Sequence, residues 1–408
     1  MPDRGGPGAA NRQSQAGSRG LSSPRARGGA RLLLRRGRLA GAAIGLAAAL
    51  LPQAALAHAQ LLESDPAPNA VLPTVPAAVT LIFTEPVTPA GAGLNVYDPS
   101  GHQVAGPVTT RGSVLTAPVA SSRPGTYVVS WQVLAADTHP SRGAFAFTVG
   151  RPSANPYSAL LSAEVIGTTT PLGLGLQALA RWVHFVGFAL AFGVVAYQVV
   201  MRRQQRPARL VAAGIVLLIA SEPLLFLAQL ASLSFDPDTA IAIGASGFGR
   251  LLGLRLAAAL CLWAVWTLET PWPVLGIGAV MAILDGATAH AVQGLAGAGL
   301  LLTGVHVTAM GLWAGGLAGF LRQPDRRFPR YAAVTFAVAS ASGVLLALSH
   351  FGSLAALGTD YGYALMVKVV VIGAALSAAL LRRHRIELAL VLGVLAAAAV
   401  LAALPPPR

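Results

Sequence analysis

Cysteine is almost missing from this chain. Cys261 is the only one in 408 residues, and it falls inside an apolar run. Disulfides, thiolate zinc sites and iron–sulfur clusters are thereby excluded, so any metal must be held by His, carboxylate, amine or Met. Charge is also scarce, at 11% of residues against 54% hydrophobic, which rules out an ordinary soluble protein and places most of the chain in a lipid bilayer. No Met occurs between Met1 and Met201, so the first half lacks soft thioether ligands. A GxxxxGK[ST] loop is missing too, so ATP coupling within the chain is not expected. Acidic residues are outnumbered 15 to 29. The excess is uneven: residues 1–57 carry nine Arg and one Asp, and most remaining basic residues sit between apolar runs. Nucleic acid is therefore not an expected partner.

What is present divides the chain into parts. Residues 1–57 read as a signal peptide with a long basic region, an apolar stretch from Leu39 to Leu51, and Ala55-Leu56-Ala57 before a cleavage point at His58. Residues 58–150 alternate in short segments such as Ala78–Phe83 and Thr126–Trp131, separated by Pro, Gly and Asn. That texture predicts a small all-β sandwich whose large core members are Trp131, Phe83, Phe145 and Phe147. Residues 151–171 read as a linker. Residues 172–404 contain eight apolar runs, near 173–200, 209–232, 249–268, 273–290, 297–320, 331–351, 362–381 and 386–403, and predict an all-α bundle of eight transmembrane helices. Arg clusters at 202–209, 322–330 and 382–385 follow the first, fifth and seventh runs. The positive-inside rule makes that side cytoplasmic and the β domain extracytoplasmic, in the cytoplasmic (inner) membrane.

Cleavage at His58 would leave an α-amine and an imidazole on one residue, a chelate that favours Cu(II). Asp137-Thr138-His139 follows a strand ending near Val133 and supplies a carboxylate and a second imidazole. Glu85, in Phe83-Thr84-Glu85-Pro86, offers an outer or axial oxygen.

At His58-Ala59-Gln60-Leu61, Ser64-Asp65-Pro66-Ala67, Phe83 to Val87 and Trp131 to Phe147 the sequence resembles the periplasmic copper-resistance family CopC. The resemblance implies a cupredoxin-like sandwich with a Cu(II) site at His58, Asp137 and His139, and Glu85 matches a further acid of that family. Asp137-Thr138-His139 departs from the family's Asp-Gly-His, and the Met-rich Cu(I) loop of some members is lacking. Residues 173–403 resemble CopD at His306 to Gly316 and at Thr359-Asp360-Tyr361-Gly362 through Lys368. That resemblance implies copper movement across the inner membrane.

Ionisable groups within apolar runs mark pathways or buried pairs. His184, His290, His306 and His350 are expected in the half of the bundle nearer the β domain. Together with Met310, one helical turn beyond His306 and a candidate soft ligand for Cu(I), they form a candidate entrance for copper. Helix anchoring or interhelical bonding is the competing reading of these histidines. Glu222, Asp285 and Lys368 are read as pairing with one another or serving proton movement. The expected function is copper binding outside the membrane and its transfer inward, with a copper donor outside as partner, and not enzymatic. Two alternatives stand beside it: a copper-dependent oxidative enzyme built on the amino-terminal histidine, and a membrane-anchored chaperone or sensor.

Overall fold

Alternating apolar residues form the strands, because successive side chains on an extended backbone point to opposite faces. The computed structural model describes residues 59, 61–84, 86–135, 140–162, 170–203, 207–268, 270–287, 298–350 and 354–404. Eight strands come first: β1 (Leu61–Asp65), β2 (Val71–Leu72), β3 (Ala78–Phe83), β4 (Val87–Tyr97), β5 (Thr109–Arg111), β6 (Val114–Pro118), β7 (Gly125–Ala135) and β8 (Pro140–Val149). They make two four-stranded sheets, in the orders β1-β3-β6-β5 and β2-β8-β7-β4. All pairs are antiparallel except β2 with β8.

The inner faces meet over Val79, Leu81 and Phe83 from one sheet and Val129, Trp131 and Phe147 from the other, all within one core. Each such side chain, fully buried, contributes about 1.5–3 kcal/mol. Phe83 meets Trp131 edge-on at 5.1 Å. Tyr127, which the sequence reading did not single out, stacks on Phe147 and donates its hydroxyl to the Arg123 carbonyl at 2.7 Å. The segment expected to be a linker is packed on the sandwich through residue 162. Asn155 donates to the carbonyls of Asp98 and Thr126, and Tyr157 stacks on Tyr97 at 3.8 Å.

Nine helices follow among the described residues: α1 (Pro171–Val200), α2 (Ala208–Ser232), α3 (Pro237–Ala245), α4 (Gly247–Val265), α5 (Trp272–Ala287), α6 (Ala298–Arg322), α7 (Phe328–His350), α8 (Asp360–Leu380) and α9 (His384–Ala403). Seven of them are long and apolar enough to cross a membrane, and they make this a multi-pass membrane protein. The expected fourth span is shorter: α5 has 16 residues, about 24 Å at 1.5 Å per residue against a hydrocarbon core of about 30 Å. Residues 288–297, which follow it, lie outside the described residues. The small helix α3 was not foreseen, since nine residues carry no usable apolar period.

Two devices shape the bundle. A single wide turn at Ala189–Gly193 interrupts α1, and there α1 crosses α6 backbone to backbone. A Cβ on Gly193 would overlap the Gly311 carbonyl, and one on Gly315 would overlap that of Ala189. The short connections alternate the helix directions. The Arg-bearing loops after α1 and α6 consequently meet, with Arg203 bonded to the Pro324 carbonyl at 2.6 Å and to Asp325 at 3.2 Å.

The β domain sits at the opposite end of the bundle. Strand β4 loses register between Pro89 and Leu94, with Gly91 and Gly93 at φ values of +57° and +67°, which side chains other than glycine resist. This bulge carries Ala90 into a shared core with Leu134, Leu225, Ile243, Phe248 and Leu252. The Gly91 amide donates to the Thr239 hydroxyl of α3 at 3.1 Å.

Candidate functional site

His58, Glu85, Asp137, His139 and His290 lie outside the described residues. The described chain beside the first four converges. Leu61 pairs with Phe83 across β1 and β3, Val87 pairs with Ala135 across β4 and β7, and the Ser141 hydroxyl donates to the carbonyl of fully buried Ala59 at 2.7 Å, over 82 residues of sequence.

The helical domain brings the other expected residues together. A cavity of about 160 Å³ is lined by His184, His306, Met310, His350 and Lys368, with Arg181, Arg255 and Asp285 at one side. A neighbouring cavity of about 300 Å³ shares His306, Met310 and Lys368. The lining residues lie towards the starts of α6 and α8, the ends of α5, α7 and α9, and the middles of α1 and α4. Because helix directions alternate, this is the half of the bundle that carries the β domain.

His184 stands at the centre of a charge network. Its Nε2 lies 3.0 Å from Asp285 Oδ2, and its Nδ1 lies 2.7 Å from the Arg255 guanidinium. Nε2 donates to the Asp285 carboxylate, and Nδ1 lies between the Arg255 guanidinium and, at 3.3 Å, Glu222 Oε1. Arg255 also pairs with Glu222 at 3.0 Å and with Asp285 at 3.5 Å, and Ser221 donates to Glu222 at 3.1 Å. Glu222 and Asp285 are thus joined through Arg255 and His184, rather than through Lys368. With both ring nitrogens engaged, His184 orients its neighbours more readily than it binds a metal.

His306 differs. Its Nδ1 meets the Ala339 carbonyl at 2.9 Å and Ser342 at 3.1 Å. Its ring lies over Gly343, where a Cβ would press on the imidazole at 2.8 Å. One nitrogen is held while the other edge borders both cavities. Met310 is buried one turn along the same helix. His350 places Nδ1 2.6 Å from the Leu346 carbonyl. Among the described residues, no group of three or more His, Cys, Asp or Glu side chains is arranged to hold a metal ion. Sequence reasoning missed Arg181 and Arg255, although a lone arginine in an apolar run was a visible signal.

A two-sheet β domain seated on a bundle of membrane-spanning helices, above a cavity rich in imidazole, defines a membrane protein with an appended β module. Comparison with known proteins narrows the class. Residues 61–150 match the CopC domain family. The copper transport protein CutJ of Bacillus subtilis is 27% identical over 88% of this chain and 76% of its own length. Copper resistance protein C of Xanthomonas campestris pv. juglandis is 32% identical over 27% of this chain and 94% of its own length. The solved structure of CopC from Methylosinus trichosporium OB3b is 29% identical, covering 24% of this chain and all of that one with a TM-score of 0.22. The chain belongs to the CopC family of copper transport and resistance proteins.

Proposed function

We propose that this protein captures Cu(II) outside the cytoplasmic membrane and passes copper inward through its helical domain. In this reading residues 1–57 are removed as a signal peptide, and His58, Asp137 and His139 bind Cu(II) with Glu85 as a further oxygen. The helical domain crosses the membrane eight times, with the β domain outside. A neutral imidazole and an amine suit Cu(II), whereas Met310 beside His306 suits Cu(I) as the cargo deeper in.

One observation carries the reading. The β domain is docked on the half of the bundle where a cavity gathers His306, Met310 and His350, which supports a route from capture to passage. The convergence of Ala59, Phe83, Ala135 and Ser141 supports a single site on the outer domain.

Isotopic copper flux into proteoliposomes tests it, comparing wild type with His58→Ala and His306→Ala. Loss of flux in both variants is expected. Undiminished flux in His306→Ala removes the cavity as entrance, and undiminished flux in His58→Ala at limiting copper removes capture by the β domain. Mass spectrometry of the mature protein should find His58 as the first residue.

A further inference from the structure

The 160 Å³ cavity that collects the candidate copper ligands His306, Met310 and His350 also carries an excess of fixed positive charge. Among the described residues, Glu222 and Asp285 are the carboxylates of this region, and both are paired with Arg255. His184, which faces both carboxylates, adds no negative charge. Arg181 borders the cavity in the field of the same two carboxylates. Its Nε is shut off from solvent and has no hydrogen-bond partner. Two carboxylates and two guanidiniums close the account on that side. Lys368 then remains on the other side, half-buried in α8 and bordering both cavities, and no hydrogen bond or ion pair joins it to any described residue. An uncompensated cation among membrane helices is costly, and a bare copper cation entering beside it would be repelled.

We propose that the cavity is a binding site for one small monovalent anion of halide type, held between Lys368 and Arg181. The size fits: about 160 Å³ is room for a halide and part of its hydration. The charge fits as well, since the described groups around the cavity leave positive charge in excess. The proposal stands without the copper reading, because the excess charge is present whatever the cargo. Should copper pass here as Cu(I), ion and halide would travel as a neutral pair, and the cavity would never hold two unpaired cations.

The test uses the full chain in lipid nanodiscs, in chelator-treated, copper-free buffer. Its thermal unfolding midpoint is followed while gluconate is exchanged for chloride or bromide at constant ionic strength. The expected result is a saturable rise in midpoint with either halide, absent in Lys368→Met and reduced in Arg181→Gln. Superimposable wild-type curves in halide and gluconate would overturn the proposal, as would a full halide response in Lys368→Met. Should the variants fail to fold, wild-type crystals grown in bromide decide: an anomalous peak in the cavity supports the site, and a featureless cavity overturns it. Copper flux enters none of these measurements, so their failure is separable from failure of the transport reading.

Discussion

Charge placed in lipid sets the energetics of individual residues. Arg255 holds two carboxylates and one imidazole in register, so its removal leaves Glu222 and Asp285 without the cation that bridges them. Arg255→Met is expected to destabilise the protein by about 3–5 kcal/mol. The double variant Arg255→Met, Glu222→Met should lose less than the single one, because the remaining Asp285 keeps its bond to His184. Thermal unfolding of both variants in detergent checks this, and a larger loss in the double variant would refute the account. In the β domain, burial opposes ionisation of Asp98. The Ser100 hydroxyl and the His102 and Ser100 amides more than offset it, holding the carboxyl below the usual carboxylate range. A carboxyl lowered on folding adds stability that is fully present above its unfolded value and lost as pH falls through the folded one. Acidification below the ordinary carboxylate range should therefore loosen the β domain. Asp98→Asn should be less stable at neutral pH and show a shallower acid dependence, as read by hydrogen exchange of β-domain amides in the full chain.

Close approach decides the behaviour of whole elements. The glycines from Gly311 to Gly316 look like a motif in sequence, and the structure gives them a packing purpose. Gly311 and Gly315 let α6 meet the wide turn of α1, and Gly316 receives the Tyr331 ring. Gly315→Leu should separate α1 from α6 and abolish assembly of the cavity, seen as loss of folded protein after extraction. The β4 bulge acts similarly between domains. Gly91→Val places a branched side chain at φ +57°, costing about 1–2 kcal/mol locally. It should also weaken the bond to Thr239, so that proteases cut between the domains faster while the helical domain stays folded. Strand alternation and long apolar runs were legible at this scale. Helix α3 and the bulge were not, since neither has a period and both owe their shape to the surface they meet.

For the whole molecule, the arrangement predicts sidedness. In a Cys261→Ala background, a cysteine at Ser153 should react with an impermeant maleimide in intact cells, whereas one at Arg383 should react only after permeabilisation. The reverse pattern would invert the assignment of the β domain to the outside. The Arg loops gather at the end of the bundle away from the β domain, an agreement of charge and connectivity that neither alone required.

By itself the sequence determined the material: a β domain with too little cysteine for staples, a set of lipid-length helices, and imidazoles set at intervals through them. Those properties are local, written in side-chain period and in the hydrophobicity of single runs. Only the tertiary structure decided which ionisable groups neutralise one another. Glu222 and Asp285 lie on different helices, 63 residues apart in sequence; Arg255, rather than Lys368, stands between them because helix packing brings α4 there. Coulomb energy depends on distance and burial, and neither is a property of sequence spacing.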